Sequence, residues 1–135
     1  MADGKVRNLS AFRHAKRKRR GMEWEFLSGC FDYGIMPTDV DGIVERNGNY
    51  LVFEEKHPNV ELGIGQARML NDLNMKHGMT IFIIWGDTEI PIIESMSIWR
   101  PYGKTNAYEE GRQKIPADIE LLRHKCRQWF DWADK

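Results

Sequence analysis

Pro37-Thr38-Asp39-Val40-Asp41-Gly42-Ile43-Val44, followed by Tyr50-Leu51-Val52-Phe53-Glu54-Glu55-Lys56, is the stretch on which the reading of this chain turns. Two apolar runs carry acids and a lysine at their edges. Side chains two apart on a strand point the same way. Asp39 and Asp41 therefore share one face of the first run, Glu54 and Lys56 share one face of the second, and Glu55 points to the other. The linker Glu45-Arg46-Asn47-Gly48-Asn49 holds an Asn-Gly turn signal, so the runs read as a hairpin. Pairing them brings Asp41 close to Glu54 and Lys56. Two carboxylates and an ammonium converging at a sheet end are the makings of a divalent-metal site.

Outward from this hairpin the pattern alternates between elements. The strands read as 38–44 and 49–56, with His57-Pro58-Asn59 breaking the second, because proline cannot continue a central ladder. Residues 61–77 have helical spacing through Ile64, Ala67, Leu70, Leu73 and Asn74, and Gly78 is placed to end the helix. Residues 79–85 form a continuous, β-branched apolar run that suits a strand buried on both faces. Residues 90–99 predict a further strand, and 100–114 a polar loop. Upstream, 22–31 has helical spacing through Trp24, Leu27, Ser28 and Phe31. The final helix is expected from Pro116, with Asp118 and Glu120 near its positive end. Its buried stripe runs through Ile119, Leu122, Cys126, Trp129 and Ala133. This order predicts an α/β (α+β) chain with a mixed central sheet flanked by helices.

Asp41, a spacer, then Glu54-Glu55-Lys56 after an apolar run resembles the PD-(D/E)XK, or restriction-endonuclease-like, nuclease superfamily. Its small phage or resolvase-like and VRR-NUC-like branches are the nearest in pattern. The resemblance covers roughly residues 21–86. The Pro-Asp pair that names the family is absent: Val40 precedes Asp41, and Pro37 lies four residues before it. The resemblance implies an αβββαβ core with a C-terminal helix and hydrolysis of phosphodiester bonds. Mg²⁺ would be the cofactor, with Mn²⁺ as a substitute. It implies Asp41 and Glu54 as metal ligands, the backbone carbonyl of Glu55 as a third, and Glu25 as an additional acid. Lys56 would orient the attacking water, and Gln66 would hold Lys56 or a phosphate. Asp39 is either a second-metal acid or a solvated one.

The composition suits a soluble globular domain, 41% hydrophobic and 30% charged over 135 residues. Zero net charge conceals an asymmetry. Residues 1–20 hold eight cations against Asp3 alone, a net +7, so residues 21–135 carry −7. A flexible basic arm over 1–20 and one nuclease-like domain over 21–135 are the expected organisation. Arg13, Lys16, Arg17, Lys18, Arg19 and Arg20 are the candidate phosphate contacts, and the competing reading is a solubilising tail. No run is long enough to span a bilayer, and no signal-peptide stretch follows the basic start. Cys30 and Cys126 read as free thiols in a reducing cytoplasm, bacterial or phage-infected.

The expected partner is DNA, with RNA left open, and cutting would be structure-selective or non-specific. A homodimer built through 90–99 is one expectation, because a junction resolvase must cut two strands. Two rival classes stand beside the nuclease: a catalytically silent nucleic-acid-binding module of the same fold, and a protein-binding factor with a basic docking arm. Trp132 and Trp99 are the tryptophans left as stacking candidates.

Overall fold

A computed structural model describes residues 23–101 and 112–135. The chain divides into two compact units, Met1–Asp39 and Val40–Lys135. Arg13, Lys16, Arg17, Lys18, Arg19 and Arg20 lie outside the described residues.

In the first unit, the α-helix expected over 22–31 is replaced by two single 3₁₀ turns, Glu25–Leu27 and Asp32–Gly34. Neither start has a side-chain cap, and neither turn contains a buried residue. Gly29 at φ +87° separates them, a left-handed backbone that no continuing helix can use. An isolated segment this short, without an apolar face to bury, does not sustain α-helix nucleation.

In the second unit, β1 (Gly42–Arg46) and β2 (Asn49–Lys56) form the expected hairpin, closed by the pair Arg46 and Asn49. Asn47 at φ 53° and Gly48 at φ 80° supply the two left-handed positions of a type I′ turn. The first strand is shorter than expected. Asp39 and Asp41 both precede β1, so neither belongs to the ladder. The helix α1 (Ile64–Met75) carries the chain from β2 to a parallel neighbour, β3 (Thr80–Asp87). Parallel pairing requires such a crossover. Antiparallel β4 (Ile92–Trp99) and the two-residue β5 (Ile115–Pro116) complete a mixed five-stranded sheet in the order β1-β2-β3-β4-β5. The C-terminal helix α2 spans Ile119–Ala133.

The class is therefore the expected α+β sheet flanked by helices. The element order differs in detail from αβββαβ, because two strands rather than three precede α1 among the described residues. Pro116 does not open the final helix. It pairs with Ser95 at the sheet edge, where a missing N–H costs nothing. Asp118 caps α2 instead, accepting from the Leu121 N–H at 2.8 Å.

The pleat sorts the core into two clusters. Leu51, Phe82, Met96 and Ile98 face α2, packing with Trp129 and Ala133. Val52, Ile81, Ile83, Trp85 and Trp99 face the other way, packing with Leu70 of α1. β3, buried at all but its last residue, serves both clusters. Between Trp85 and Gly86 the register slips by a bulge. Gly86 sits at φ +155°, and a Cβ there would come within 2.2 Å of the Ile92 carbonyl oxygen, so only glycine fits.

Two sequence expectations change. Ile64, counted on the apolar stripe, is 75% exposed. Within the segment considered for a dimer surface, Ile93, Met96, Ile98 and Trp99 are buried in the sheet, while Ile90, Pro91, Ile92 and Glu94 are exposed. Trp99 is thereby removed from the stacking candidates.

Candidate metal centre

Alternation along β2 decides what the site contains. Glu54 and Lys56 follow Val52 on the α1 face, and Glu55 falls on the α2 face. Glu54 is 5% exposed, among the most buried charged side chains of the described residues. Its Oε2 accepts from Gln66 Nε2 at 2.5 Å. Its Oε1 is buried with no hydrogen-bond partner. A buried polar atom left unpaired is rare and calls for an explanation such as an ion or a proton.

Asp41 lies one residue before β1, where the pairing of Gly42 with Phe53 places it opposite Glu54. The Glu54 carboxyl is pushed up from 4.5 to about 7. Burial is the largest cause, followed by the negative charge of Asp41; the Gln66 hydrogen bond and the Lys56 charge act in the opposite direction. The nearness of the Asp41 carboxyl adds a further, smaller rise. A buried carboxyl raised in this way beside a second carboxylate can exchange its proton for a cation.

The Glu55 N–H donates to Asp41 Oδ2 at 2.7 Å. In an extended strand the N–H and C=O of one residue point to the same side. Pairing of residues 49, 51 and 53 with β1 sets that side, and beyond Phe53 the β1 ladder has stopped. The Glu55 carbonyl therefore turns toward the Asp41 edge where no strand pairs with it. The Glu55 side chain is committed elsewhere. Oε2 takes the Thr88 N–H at 2.7 Å and Oε1 takes the Thr88 hydroxyl at 2.9 Å.

These features fit a hard divalent cation. Mg²⁺ takes oxygen ligands, keeps several waters, and needs only one or two carboxylates. No group of three or more His, Cys, Asp or Glu is gathered for a metal among the described residues. A cation here would rest on Asp41, the unpartnered Glu54 oxygen, the Glu55 carbonyl and water.

The structure thus brings together Asp41, Glu54, the Glu55 backbone, Lys56 and Gln66. Gln66 reaches the site from the first turn of α1, but it holds Glu54 rather than Lys56. Glu25 and Asp39 belong to the other compact unit, where Asp39 accepts from Trp24 Nε1 at 2.9 Å. His57 is a turn residue whose carbonyl accepts from the Val60 N–H at 3.1 Å.

One residue was missed. Lys114 Nζ stands 4.3 Å from the Trp85 ring centroid, and Trp85 is the cross-strand partner of Lys56. Trp85 itself is anchored by Nε1, which donates to the Val60 carbonyl at 2.8 Å. The segment carrying Lys114 is tied to α1 through Arg112, whose guanidinium donates to Asn71 and to the fully buried Asn74. Nothing in local spacing distinguishes Lys114 from an ordinary loop cation.

No family model, curated protein or solved structure matches the chain.

Proposed function

We propose that this chain is a metal-dependent nuclease of the PD-(D/E)XK type that hydrolyses phosphodiester bonds in DNA. The carrying observation is the buried Glu54 oxygen without a partner, set beside Asp41 at the end of β2. A bound Mg²⁺, with Mn²⁺ as substitute, would supply an activated water and neutralise phosphate charge. The residues do the rest. Asp41 and Glu54 hold the cation, and Gln66 fixes the Glu54 carboxylate in one orientation. Lys56, on the same face, orients water and offsets charge developing on the phosphate. Lys114, one strand further over Trp85, contacts the substrate phosphate next along.

The arm cations between Arg13 and Arg20 are proposed to track the phosphate backbone, with strong salt dependence. Cutting would be structure-selective or non-specific. No helix among the described residues is long and apolar enough to cross a membrane. The proposed setting is the cytoplasm of a bacterium or a phage-infected cell.

The test is cleavage of single-stranded, duplex, flapped and four-way-junction DNA and of RNA. Each is run with Mg²⁺, Mn²⁺ or EDTA beside Glu54→Ala. Cutting that requires both metal and Glu54 is expected. Tight, salt-sensitive binding without cutting would leave a silent nucleic-acid-binding module. Neither cutting nor binding would leave the protein-binding class.

A further inference from the structure

A second feature lies on the opposite face of the sheet and does not depend on the metal centre. Between the start of β3, the end of β4 and α2 opens a cleft of about 310 Å³. Small-ligand pockets begin near this size. Its aromatic walls are Phe82, Trp129 and Trp132, and its polar groups include Arg100, Lys125 and Gln128. Among the described residues, no carboxylate lines it. That is notable in a body carrying −7 over residues 21–135. Two cations without a counter-charge in a partly enclosed space favour an anion, and two favour a dianion over a monoanion.

The walls narrow the choice further. Indole faces favour a flat aromatic ring, whose stacking is sequence-tolerant and strong. Trp129 is 7% exposed, and its Nε1–H is buried without an acceptor. With no accessible surface, that donor is not offered to a ligand, and the hydrogen-bonding edge of the cleft is left to other groups. Gln128 offers both a donor and an acceptor to the edge of such a ring. A ring with hydrogen-bonding edges joined to a doubly charged group is the chemistry of a nucleotide.

We infer that this cleft binds a nucleoside monophosphate, with its base against Trp129 and Trp132 and its phosphate between Arg100 and Lys125. The site is separate from Asp41, Glu54 and Lys56, which occupy the α1 face at the other end of the strands.

The test titrates the full chain in EDTA with deoxyadenosine monophosphate, deoxyadenosine or inorganic phosphate. Calorimetry gives affinity, and the indole N–H signals in NMR give location. The nucleotide should saturate with a Kd below about 1 mM, and deoxyadenosine and phosphate should each bind at least about tenfold more weakly. The Trp129 and Trp132 signals should move while Trp24 and Trp85 stay. Lys125→Gln, Arg100→Gln and Trp132→Ala should each weaken binding about tenfold or more without changing thermal unfolding, and Lys56→Ala should leave it unchanged. Trp132 is 39% exposed, so its truncation tests the cleft without emptying the core. No saturation by about 10 mM would overturn the inference. So would equal binding of bare phosphate, or loss in Lys56→Ala with Lys125→Gln unaffected. Failure here leaves the proposed nuclease standing, and failure to cleave DNA leaves this cleft standing.

Discussion

Glu54 and Glu55 are chemically identical in side chain and adjacent in sequence, yet they meet opposite fates. Glu55 points toward the α2 face and has both oxygens occupied by Thr88. Glu54 points toward the α1 face, is buried, keeps one oxygen without a partner, and has its carboxyl raised to about 7. The pleat alone makes the difference, since one residue along a strand is a change of face. A carboxylate with two satisfied oxygens is a structural clamp. One held in place by Gln66 and beside Asp41, with an oxygen left over, is equipped to take up a proton or a cation.

The largest expected separation between the two is in cleavage. Glu54→Ala and Asp41→Asn should each lower metal-dependent turnover by about 10²–10³-fold or more, the scale of losing a group that stabilises charge in the transition state. Glu55→Gln keeps the backbone that faces Asp41 and should change turnover less than about threefold. Single-turnover cleavage under saturating Mg²⁺ reads both. Equal losses for Glu54 and Glu55 would dissolve the contrast, and unchanged cleavage in Asp41→Asn would remove Asp41 from the mechanism.

The next separation is in stability against pH. The folded chain holds the Glu54 proton more tightly than an unfolded chain, with a carboxyl near 7 against 4.5. Between those values unfolding releases a proton, so stability falls as pH rises through that window and levels off above it. The full shift corresponds to a loss of about 3 kcal/mol. Glu54→Gln removes the ionisation and should be more stable than wild type at pH 8 by up to about 3 kcal/mol, with little difference near pH 4. Added Mg²⁺ should stabilise the wild type at pH 8 and not the variant. Denaturant melts at the two pH values, with and without metal, measure this. Glu55→Gln should be destabilised instead, because it weakens a charge-assisted clamp.

Much of this was legible because it followed from strict local rules. The Asn47-Gly48 turn set the hairpin register, and the register set Asp41 against Glu54. The unbroken apolar run of β3 announced a strand buried on both faces. Other features had no local signal. Asp39 and Asp41 look like strand residues by alternation, but only pairing with β2 decides where a ladder begins, and it begins at Gly42. Residues 22–31 match a helical spacing, yet spacing confers stability only when a face is buried, and no residue of either 3₁₀ turn is. Asn74 fitted the apolar stripe of α1 for a reason invisible in sequence. It is fully buried and satisfied, donating to the Met79 and Trp99 carbonyls and accepting from Arg112. Lys114 and Arg112 reach the α1 face only through tertiary packing against Trp85 and Trp99.

Gln66 tests how much of the Glu54 contrast is geometric. Gln66→Ala leaves the second Glu54 oxygen without its donor, which should raise the carboxyl further and weaken Mg²⁺ binding by about 10–100-fold, the usual cost of losing a partner that orients a ligand. Gln66→Glu should be worse, since it adds a like charge beside a buried carboxylate. Calorimetric titration with Mg²⁺ separates this from a folding defect. If metal affinity is unchanged in Gln66→Ala, the amide is a helix-start residue that happens to touch Glu54.

The smallest effect belongs to Thr88. Thr88→Ala removes one hydrogen bond to Glu55 and keeps the backbone N–H that supplies the other, so the expected loss is about 1 kcal/mol or less. Both groups are exposed, which lowers the value further through competition with water. Cleavage should be unaffected. A result larger than this would be informative in a specific way. The Glu55 backbone is held by Asp41 on one side and, through its side chain, by the turn at Thr88 on the other. If Thr88→Ala slows cleavage while folding is intact, the clamp on the α2 face is what positions the Glu55 carbonyl at the Asp41 edge. The two carboxylates would then be a ligand and its brace rather than a site and a bystander.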